Sequence, residues 1–429
     1  MRPNIWVSRR SESGLLACTL SRYGDGRLPG GLTREPPSVP PDWRRFGVRP
    51  LTDLGLIGCV SLSVISPIPR YCAWHRVMAA NKAGPGEAMN DFAAFIDHMP
   101  KAELHLHLEG TLEPELKFEL AARSGVSLPH ASAADMRAGY AFRDLTSFLA
   151  AYYEGMSVLR GEQDFYDLAM AYFRRARAQN VVYAEVFFDP QAHTSRGIAF
   201  ETVIGGLHRA RLDAQAELGL GVQIIMCFLR DMPADSAMKS LEQSLPHRSK
   251  IIGVGLDSDE RDNPPVKFKQ VFERARAEGY HLTMHCDVDQ ADSVGHIWQC
   301  LDDIGAERID HGVNCVEDDA LMARLGRDGT GLTVCPVSNR WVTDGLKAAE
   351  LKVMLDRSLR ATVNSDDPAY FGAYLSENLA AAQQAASLTP AELVRLARNS
   401  FEIAWISAAD RDTYLSELDA YARDAGPAG

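Results

Sequence analysis

The sequence lacks several features that define common protein classes. Its 429 residues include only eight cysteines and no CxxC pair, which excludes a disulfide scaffold and cysteine-based zinc sites. The longest apolar run near the N-terminus, residues 54–65, contains glycine and serine and is much shorter than the roughly 20 residues of a membrane span. We therefore expect no membrane span and no secretion, and the cysteine usage fits a reducing cytoplasm.

Positive charge is also scarce. The chain has 45 Lys and Arg against 57 Asp and Glu, a net charge of -12, and such a surface repels a nucleic-acid backbone. Nucleic acid is therefore not an expected partner. A small substrate without phosphate, such as a nucleobase, remains compatible with this charge.

The first 88 residues differ from the rest of the chain. They contain 12 Lys and Arg but 6 Asp and Glu, which leaves 33 and 51 for residues 89–429. They are rich in proline, glycine, serine and arginine and show no sustained hydrophobic period. We predict that residues 1–88 are a disordered extension or the product of an over-extended reading frame, and that residues 89–429 form the functional domain.

Short β-branched runs alternate with amphipathic stretches from residue 102 onward, which is typical of repeated βα units. The eight runs cover residues 103–107, 181–188, 222–228, 251–256, 281–285, 308–312, 332–335 and 361–364. Eight such units in about 260 residues predict a (β/α)₈ (TIM) barrel. Helical patterns at 114–124 and 165–179 predict a helical insertion after the first strand, placed to cover the barrel mouth.

Histidines and aspartates recur where the predicted strands end. Residues i and i+2 of a strand point to one side, so His105 and His107 present two imidazoles to one point. An HxH segment also occurs by chance, but the other candidates, which are His285, His311 and the pair Asp366-Asp367, also follow predicted strands. Catalytic groups of such barrels come from the C-terminal ends of different strands.

Three neutral imidazoles and a carboxylate suit a zinc ion that keeps one position for water. Zinc lowers the pKa of that water from 15.7 to about 7, which makes a hydroxide available at neutral pH. The sequence thus predicts one Zn²⁺ per chain and a hydrolytic reaction.

Four segments resemble the signature motifs of the adenosine and adenine deaminases, and the resemblance runs from about 95 to 425. They are MPKAELHLHLEG at 99–110, RIDHGV at 308–313, LTVCPVSN at 332–339 and TVNSDDP at 362–368. The segment YAEVFFDPQAHT at 183–194 is more similar to the adenine branch. Glu109 also favours the adenine branch, because adenosine enzymes have at this position an aspartate that contacts the ribose.

The resemblance implies a role for each matching residue. The metal ligands would be His105, His107, His285 and Asp366. Asp367 would bind the purine N7, and His311 would orient the hydroxide that attacks C6. Gly255 would let the backbone approach the purine, and Glu109 would lie near the substrate. A small-molecule purine and water would be the partners, with no nucleic acid or membrane, and the oligomeric state stays open.

The sequence departs from the family at one catalytic position. The family places a proton-shuttling glutamate three residues after the strand-five histidine, and that position is Val288 here. Asp287 and Asp289 flank it, so one of them is the candidate general acid and base, provided that the loop brings it within about 2.6–3.2 Å of its proton partner.

Three functions remain compatible with these residues. The first is a deaminase of adenine or an N6-substituted adenine, with adenosine as the alternative substrate. The second is a catalytically weakened, zinc-bearing protein that binds purines. The third is a metal-dependent hydrolase of another small molecule, such as a pyrimidine or a pterin. Retention of His311 and both strand-eight aspartates favours the first, because a binding protein needs no group that orients a hydroxide.

Overall fold

The structure is a computed structural model that describes residues 88–142, 144–286, 288–343 and 345–425. The predicted extension, residues 1–88, lies outside the described residues except for its last residue. The division of the chain at residue 88 therefore stays a prediction.

Eight parallel strands form one sheet whose spatial order follows the sequence, from β1 to β8. The strands are β1 (Lys101–Glu103), β2 (Val181–Phe188), β3 (Gly221–Leu229), β4 (Gly253–Asp257), β5 (His281–Cys286), β6 (Arg308–His311), β7 (Gly331–Val334) and β8 (Arg360–Val363). The order and the parallel pairing confirm the predicted (β/α)₈ barrel. Strands two to eight lie within two residues of their predicted bounds, whereas β1 ends before the two histidines that were predicted to lie on it.

The barrel closes beyond the ends of its first and last strands. Leu106 and Asp366 form an isolated parallel bridge, in which Asp366 N–H donates to His105 O at 3.1 Å and His107 N–H donates to Asp366 O at 3.0 Å. The Asn364 side chain also accepts a hydrogen bond from Leu104 N–H at 2.9 Å. The segments that carry the candidate site residues are therefore held by backbone hydrogen bonds.

Helices surround the sheet and complete the βα units. They are α1 (Ala88–His98), α2 (Pro114–Ser124), α3 (Ala133–Ala138), α4 (Leu145–Gly155), α5 (Glu162–Ala178), α6 (Pro190–Thr194), α7 (Phe200–Asp213), α8 (Ala234–Ser244), α9 (Lys269–Ala277), α10 (Ser293–Gln299), α11 (Asp319–Asp328), α12 (Pro336–Val342), α13 (Ala348–Asp356), α14 (Pro368–Phe371), α15 (Leu375–Ala386), α16 (Pro390–Ile403) and α17 (Ala408–Ala425). The helix α16 packs against β1 and β8 and covers the seam of the barrel.

The predicted insertion is present between β1 and β2 and consists of α2 to α5. The helix α2 begins with Pro114 and ends at Gly125, whose left-handed backbone (φ 67°) suits glycine. The helix α4 begins with a capping box in which Asp144 and Ser147 bond each other's backbone. These signals fix the ends of the inserted helices, and α4 supplies part of the roof over the site described below.

The strands are buried on both faces, as expected for a parallel sheet covered by helices. A continuous apolar core lies between sheet and helices, and a smaller cluster of Phe187, Ile225 and Cys227 fills part of the barrel. In the part of the chain that the structure describes, no helix has both the length and the apolar character needed to cross a membrane.

Candidate active site

Two histidines follow the first strand. His105 and His107 lie just beyond β1, where His107 still pairs with Phe187 of β2 through an isolated bridge. Both imidazoles are buried, and their ring centroids are 5.7 Å apart. The i, i+2 spacing brings both rings to the same end of the barrel.

Two further candidate ligands come from β5 and from the segment after β8. His107 Nε2 lies 3.1 Å from His285 Nε2, and Asp366 Oδ1 lies 3.3 Å from His105 Nε2 and 3.5 Å from His107 Nε2. Ligand atoms of a tetrahedral zinc site with bonds of 2.0–2.1 Å are about 3.3 Å apart. Burial lowers the pKa of His107 to about 4 and the pKa of His285 well below its usual value, so both rings offer nitrogen lone pairs. These three distances match those between neighbouring ligands of one metal ion.

His311 approaches the same point from β6. Its Nε2 lies 3.7 Å from Asp366 Oδ2, and His105, His285, His311 and Asp366 can each place one ligand atom within 4.8 Å of the others. His311 (φ 57°) and Asp366 (φ 65°) both have a left-handed backbone, which costs of order 1–3 kcal/mol per residue and is concentrated at functional sites. The structure thus groups His311, rather than His107, with His105, His285 and Asp366, while His107 lies within the same distance of Asp366 and Asp367.

A buried polar network supports the histidines from inside the barrel. Thr333 Oγ1 donates to Asp310 Oδ1 at 2.8 Å, so it accepts from His105 Nδ1 at 2.9 Å. Thr283 Oγ1 donates to Asp310 Oδ2 at 2.6 Å, and that oxygen also lies 3.6 Å from His285 Nδ1. Asp310, acting through Thr333, thus places the proton of His105 on Nδ1 and leaves its Nε2 free to bind a metal, while His285 Nδ1 faces the same carboxylate without a hydrogen bond.

We expect Asp310→Asn to weaken metal binding without unfolding the protein. The amide has one acceptor oxygen where the carboxylate has two, so one threonine loses its acceptor and one ring loses its fixed tautomer. Partners of this kind typically change metal affinity by about 10–100-fold. Competition with a chromophoric chelator measures the affinity, and Asp319→Asn, at an exposed aspartate of α11, is the control. Equal affinities for the two variants would contradict the role of Asp310.

Two more buried carboxyl groups stand at strand ends. Asp257 ends β4, and its Oδ2 lies 3.4 Å from His107 Nδ1. Asp189 follows β2 and accepts a hydrogen bond from Tyr152 of α4 at 3.1 Å. Burial raises the pKa of both carboxyls. The nearby Glu109 carboxylate adds to this effect at Asp189, whose pKa rises to about 8. Asp189 in turn adds to the effect at Asp257. This wall of the site is acidic and poorly solvated.

Asp367 lies beside Asp366 and faces the same space. Burial and the neighbouring Asp366 carboxylate raise its pKa well above the usual value, and its Oδ1 is buried without a protein hydrogen-bond partner. A Cβ at Gly110 would come within 2.1 Å of that oxygen, so glycine is needed for the close approach of the two segments. Asp367 therefore has a free acceptor for a ligand.

A single cavity contains the metal-ligating end of the cluster and the acidic wall. His107, His285, His311, Asp366 and Asp367 form part of its lining. Its apolar lining consists of Leu145, Phe148, Leu149, Val288, Val342 and Phe371, three of which belong to α4. Among the described residues that line it, none is a lysine or an arginine. The cavity suits a flat, uncharged ligand with hydrogen-bond donors.

Comparison with known proteins assigns this fold and site to a family. The family model for adenosine deaminase matches residues 100–421. The chain belongs to the adenosine deaminase family. A protein of Chlorobium phaeobacteroides named adenine deaminase is 49% identical over 329 residues, which are 76% of this chain and 98% of the relative.

Two solved structures of the family are also similar. The adenine deaminase from Arthrobacter aurescens is 42% identical, with a TM-score of 0.73 over 76% of this chain and 99% of its own. An amidohydrolase from Burkholderia ambifaria, solved with bound Zn, is 27% identical, with a TM-score of 0.71 over 78% of this chain and 94% of its own.

The structure does not bring two residues predicted from the family resemblance to the cavity. Gly255 lies inside the barrel, where a Cβ would meet Cys227 Sγ at 2.6 Å, and it does not line the cavity. Glu109 is buried behind the wall, where it accepts from His193 at 2.8 Å and from Asp189 N–H at 3.2 Å. Their predicted contacts with substrate have no support from this geometry.

The segment after β5, where the family resemblance predicts a glutamate, forms part of the cavity rim. Val288 is buried and lines the cavity, and its carbonyl accepts from Asn314 at 3.1 Å. Asp289 also lines the cavity but is exposed and accepts from the Gln290 side chain at 2.8 Å. Asp287, the other candidate general acid and base, lies outside the described residues. The geometry places one carboxylate, Asp289, at the rim.

The sequence reasoning missed four residues of the site region, namely Asp189, Asp257, Asp310 and Tyr152. The sequence pattern could have indicated two of them. Asp257 ends a strand and Asp189 follows one, and the candidate histidines lie at the same kind of position. Asp310 was noted only as the neighbour of His311. Tyr152 comes from the inserted helix, and sequence spacing does not show which helical face meets the barrel.

Proposed function

We propose that the chain is a zinc-dependent hydrolase that deaminates a 6-aminopurine, namely adenine or an N6-substituted adenine. Water adds to C6 and ammonia or an amine leaves, which yields a 6-oxopurine. The two relatives named adenine deaminase, at 49% and 42% identity over nearly their whole length, support this substrate class. Adenosine is the alternative substrate within the same family.

His105, His107, His285 and Asp366 are the proposed zinc ligands. Nitrogen and oxygen donors about 3.3 Å apart suit zinc, and the related amidohydrolase structure holds a Zn ion. When bound, zinc lowers the pKa of water to about 7 and so supplies the nucleophile. The buried Nε2 of His105, which has no hydrogen-bond partner in the protein, is consistent with a ligand role.

The other site residues would act on the substrate and its protons. His311 is close enough to the ligand cluster to orient the attacking water, and Asp367 would bind the purine N7 by donating the O–H of its neutral carboxyl, because N7 of the 9H base only accepts. A proton must also pass from the water to ring N1 and to the leaving amine. Asp289 at the cavity rim, or Asp287, is the proposed carrier, in the place of the family glutamate.

The charge of the cavity is the observation that carries the choice of substrate. Five aspartates line it, namely Asp189, Asp257, Asp289, Asp366 and Asp367, and none of the described lining residues is cationic. A phosphate in this cavity would find no lysine or arginine to pair with. The carboxyl groups of Asp189, Asp257 and Asp367, whose pKa values are raised, offer it no positive charge. The proposed substrate is therefore a neutral base rather than a nucleotide.

The proposed compartment is the reducing cytoplasm. Cys286 and Cys300 are buried with their sulfur atoms 3.5 Å apart and are not joined. An oxidising compartment favours disulfides, whereas a reducing one keeps such thiols free. The proposed partners are the purine and water.

A substrate panel with zinc-loaded protein tests the proposal. The substrates are adenine, N6-methyladenine, N6-isopentenyladenine, adenosine, AMP and cytosine, and the products are measured as ammonia or amine together with the 6-oxopurine. We expect turnover of at least one free 6-aminopurine and none of AMP or cytosine. Preferential turnover of adenosine would move the assignment to the nucleoside, and no release from any purine would refute the deaminase.

A further inference from the structure

Asp189 has a carboxyl oxygen with no hydrogen-bond donor in the described part of the chain, other than a proton that it can share with Asp257. Tyr152 donates to Oδ2, while Oδ1 is buried without a hydrogen-bond partner, and the residue lines the cavity. Asp189 is also the N-cap residue of α6, but its side chain makes no capping hydrogen bond. The carboxyl group is therefore turned away from the helix to which it could bond.

The described group that can share a proton with this carboxyl is the neighbouring carboxyl of Asp257, which is itself buried. No described lysine, arginine or histidine forms an ion pair with it, and the nearby His193 donates to Glu109 instead, at 2.8 Å. A buried polar atom without a partner costs about 1–3 kcal/mol. Such an atom on a cavity wall indicates a ligand that brings a hydrogen-bond donor.

The free base has a donor that its nucleoside lacks. In adenine N9 carries a proton, whereas in adenosine the ribose occupies N9. With C6 at the metal cluster and N7 at Asp367, the N3–N9 edge of the purine must face another part of the cavity wall. Asp189 and Asp257 both line the cavity with an oxygen that has no hydrogen-bond partner. Asp257 Oδ2 lies 3.4 Å from His107 Nδ1, beside a proposed metal ligand, which leaves Asp189 for the N9 position.

We propose that Asp189 accepts the N9–H of the bound purine and thereby makes the site specific for the free base over the nucleoside. This inference rests on the proposed function, because it takes the ligand to be a 6-aminopurine. A carboxyl group has an accepting oxygen in either protonation state. In the neutral form, which the raised pKa of about 8 favours, its O–H can also donate to the adjacent N3.

Two ligands that differ only at N9 test the proposal. Purine and 9-methylpurine have no amino group to lose, so their binding to the full chain with zinc is measured by calorimetry without turnover. We expect the wild-type protein to bind purine about 10–100-fold more tightly, the range for one buried hydrogen bond left unmade. Equal binding of the two ligands would overturn the proposal.

The variants separate a ligand contact from a structural role. Asp189→Leu keeps a similar shape without an acceptor, and we expect it to bind the two ligands within about threefold of each other. Asp189→Asn retains an acceptor for Tyr152, so it remains informative if the leucine variant misfolds. Its preference for purine over 9-methylpurine should fall between those of the wild-type protein and Asp189→Leu. Tyr152→Phe removes the internal hydrogen bond but leaves the carboxyl, so it should keep most of the preference for purine.

The outcomes distinguish this inference from the proposed function. A preference for purine that persists in both Asp189 variants contradicts the inference, even if adenine is deaminated. A preference that disappears in Asp189→Leu and is reduced in Asp189→Asn supports it, even if the wild-type protein deaminates nothing. Zinc content, measured for each variant, should stay near one per chain, because Asp189 is not a proposed ligand.

Discussion

Replacing His107 by alanine is expected to remove zinc from the protein and to lower kcat by on the order of 10³-fold or more. The physical reason is the loss of a nitrogen donor that lies 3.1 Å from His285 Nε2 and 3.5 Å from Asp366 Oδ1. Zinc supplies several kcal/mol of transition-state stabilisation, and each 1.36 kcal/mol is a factor of ten in rate. Elemental analysis gives the metal content, and a steady-state assay gives kcat.

His311→Ala is the matched comparison, because both histidines are buried and both approach Asp366. We expect this variant to keep about one zinc per chain and to lose roughly 10²–10⁴-fold in kcat, the range for a positioned proton-transfer group. His208→Ala, on the outer helix α7, controls for the loss of any histidine and should change neither quantity. Near-normal zinc content in His107→Ala, or loss of zinc in His311→Ala, would show that His311 rather than His107 is the metal ligand.

Local sequence patterns were sufficient to predict most of the fold. The run from Val181 to Phe188 was predicted with the bounds that the structure shows, because apolar β-branched and aromatic residues bounded by turn residues define a buried strand. The helix Pro114–Ser124 was also predicted at its observed bounds, since proline begins it and glycine follows it. Such signals lie within about ten residues of one another.

The depth of a residue along the barrel axis was not predictable in this way. Gly255 and Asp257 lie two residues apart on β4 and share a side of the strand, yet Gly255 packs on Cys227 in the core whereas Asp257 lines the cavity. Strand parity gives the side but not the depth, which depends on the stagger between neighbouring strands. The position of Gly255 away from the cavity could not be predicted for that reason, and its contact with substrate stays a prediction.

Contacts between residues far apart in the sequence were equally unpredictable from local patterns. Glu109 lies in a 3-10 turn after His107, and the turn directs its carboxylate to His193, which is 84 residues away in sequence. Nothing in the local sequence pairs these two residues, so Glu109 was assigned to the substrate. The same limit applies to Asp189, whose partner Tyr152 comes from the inserted helix.

The second large effect is expected at the loop that follows β5. One of the variants Asp287→Asn and Asp289→Asn should lose about 10²–10⁴-fold in kcat while its zinc content stays near one per chain, because the reaction needs a carboxyl that carries protons to N1 and to the leaving amine. Asp289 lines the cavity but is exposed and bonded to Gln290, so it must turn inward to reach the substrate.

Val288 provides a sharper test, since its side chain already lines the cavity and is buried. Val288→Glu places a carboxyl at the position where the family has its glutamate. Introduced into the inactive aspartate variant, it should restore at least about tenfold in kcat, whereas Val288→Gln, of the same size, should restore none. Full activity in both aspartate variants would place the proton carrier elsewhere. Failure of Val288→Glu to rescue would show that the altered loop holds its carboxyl in a different position from that of the family.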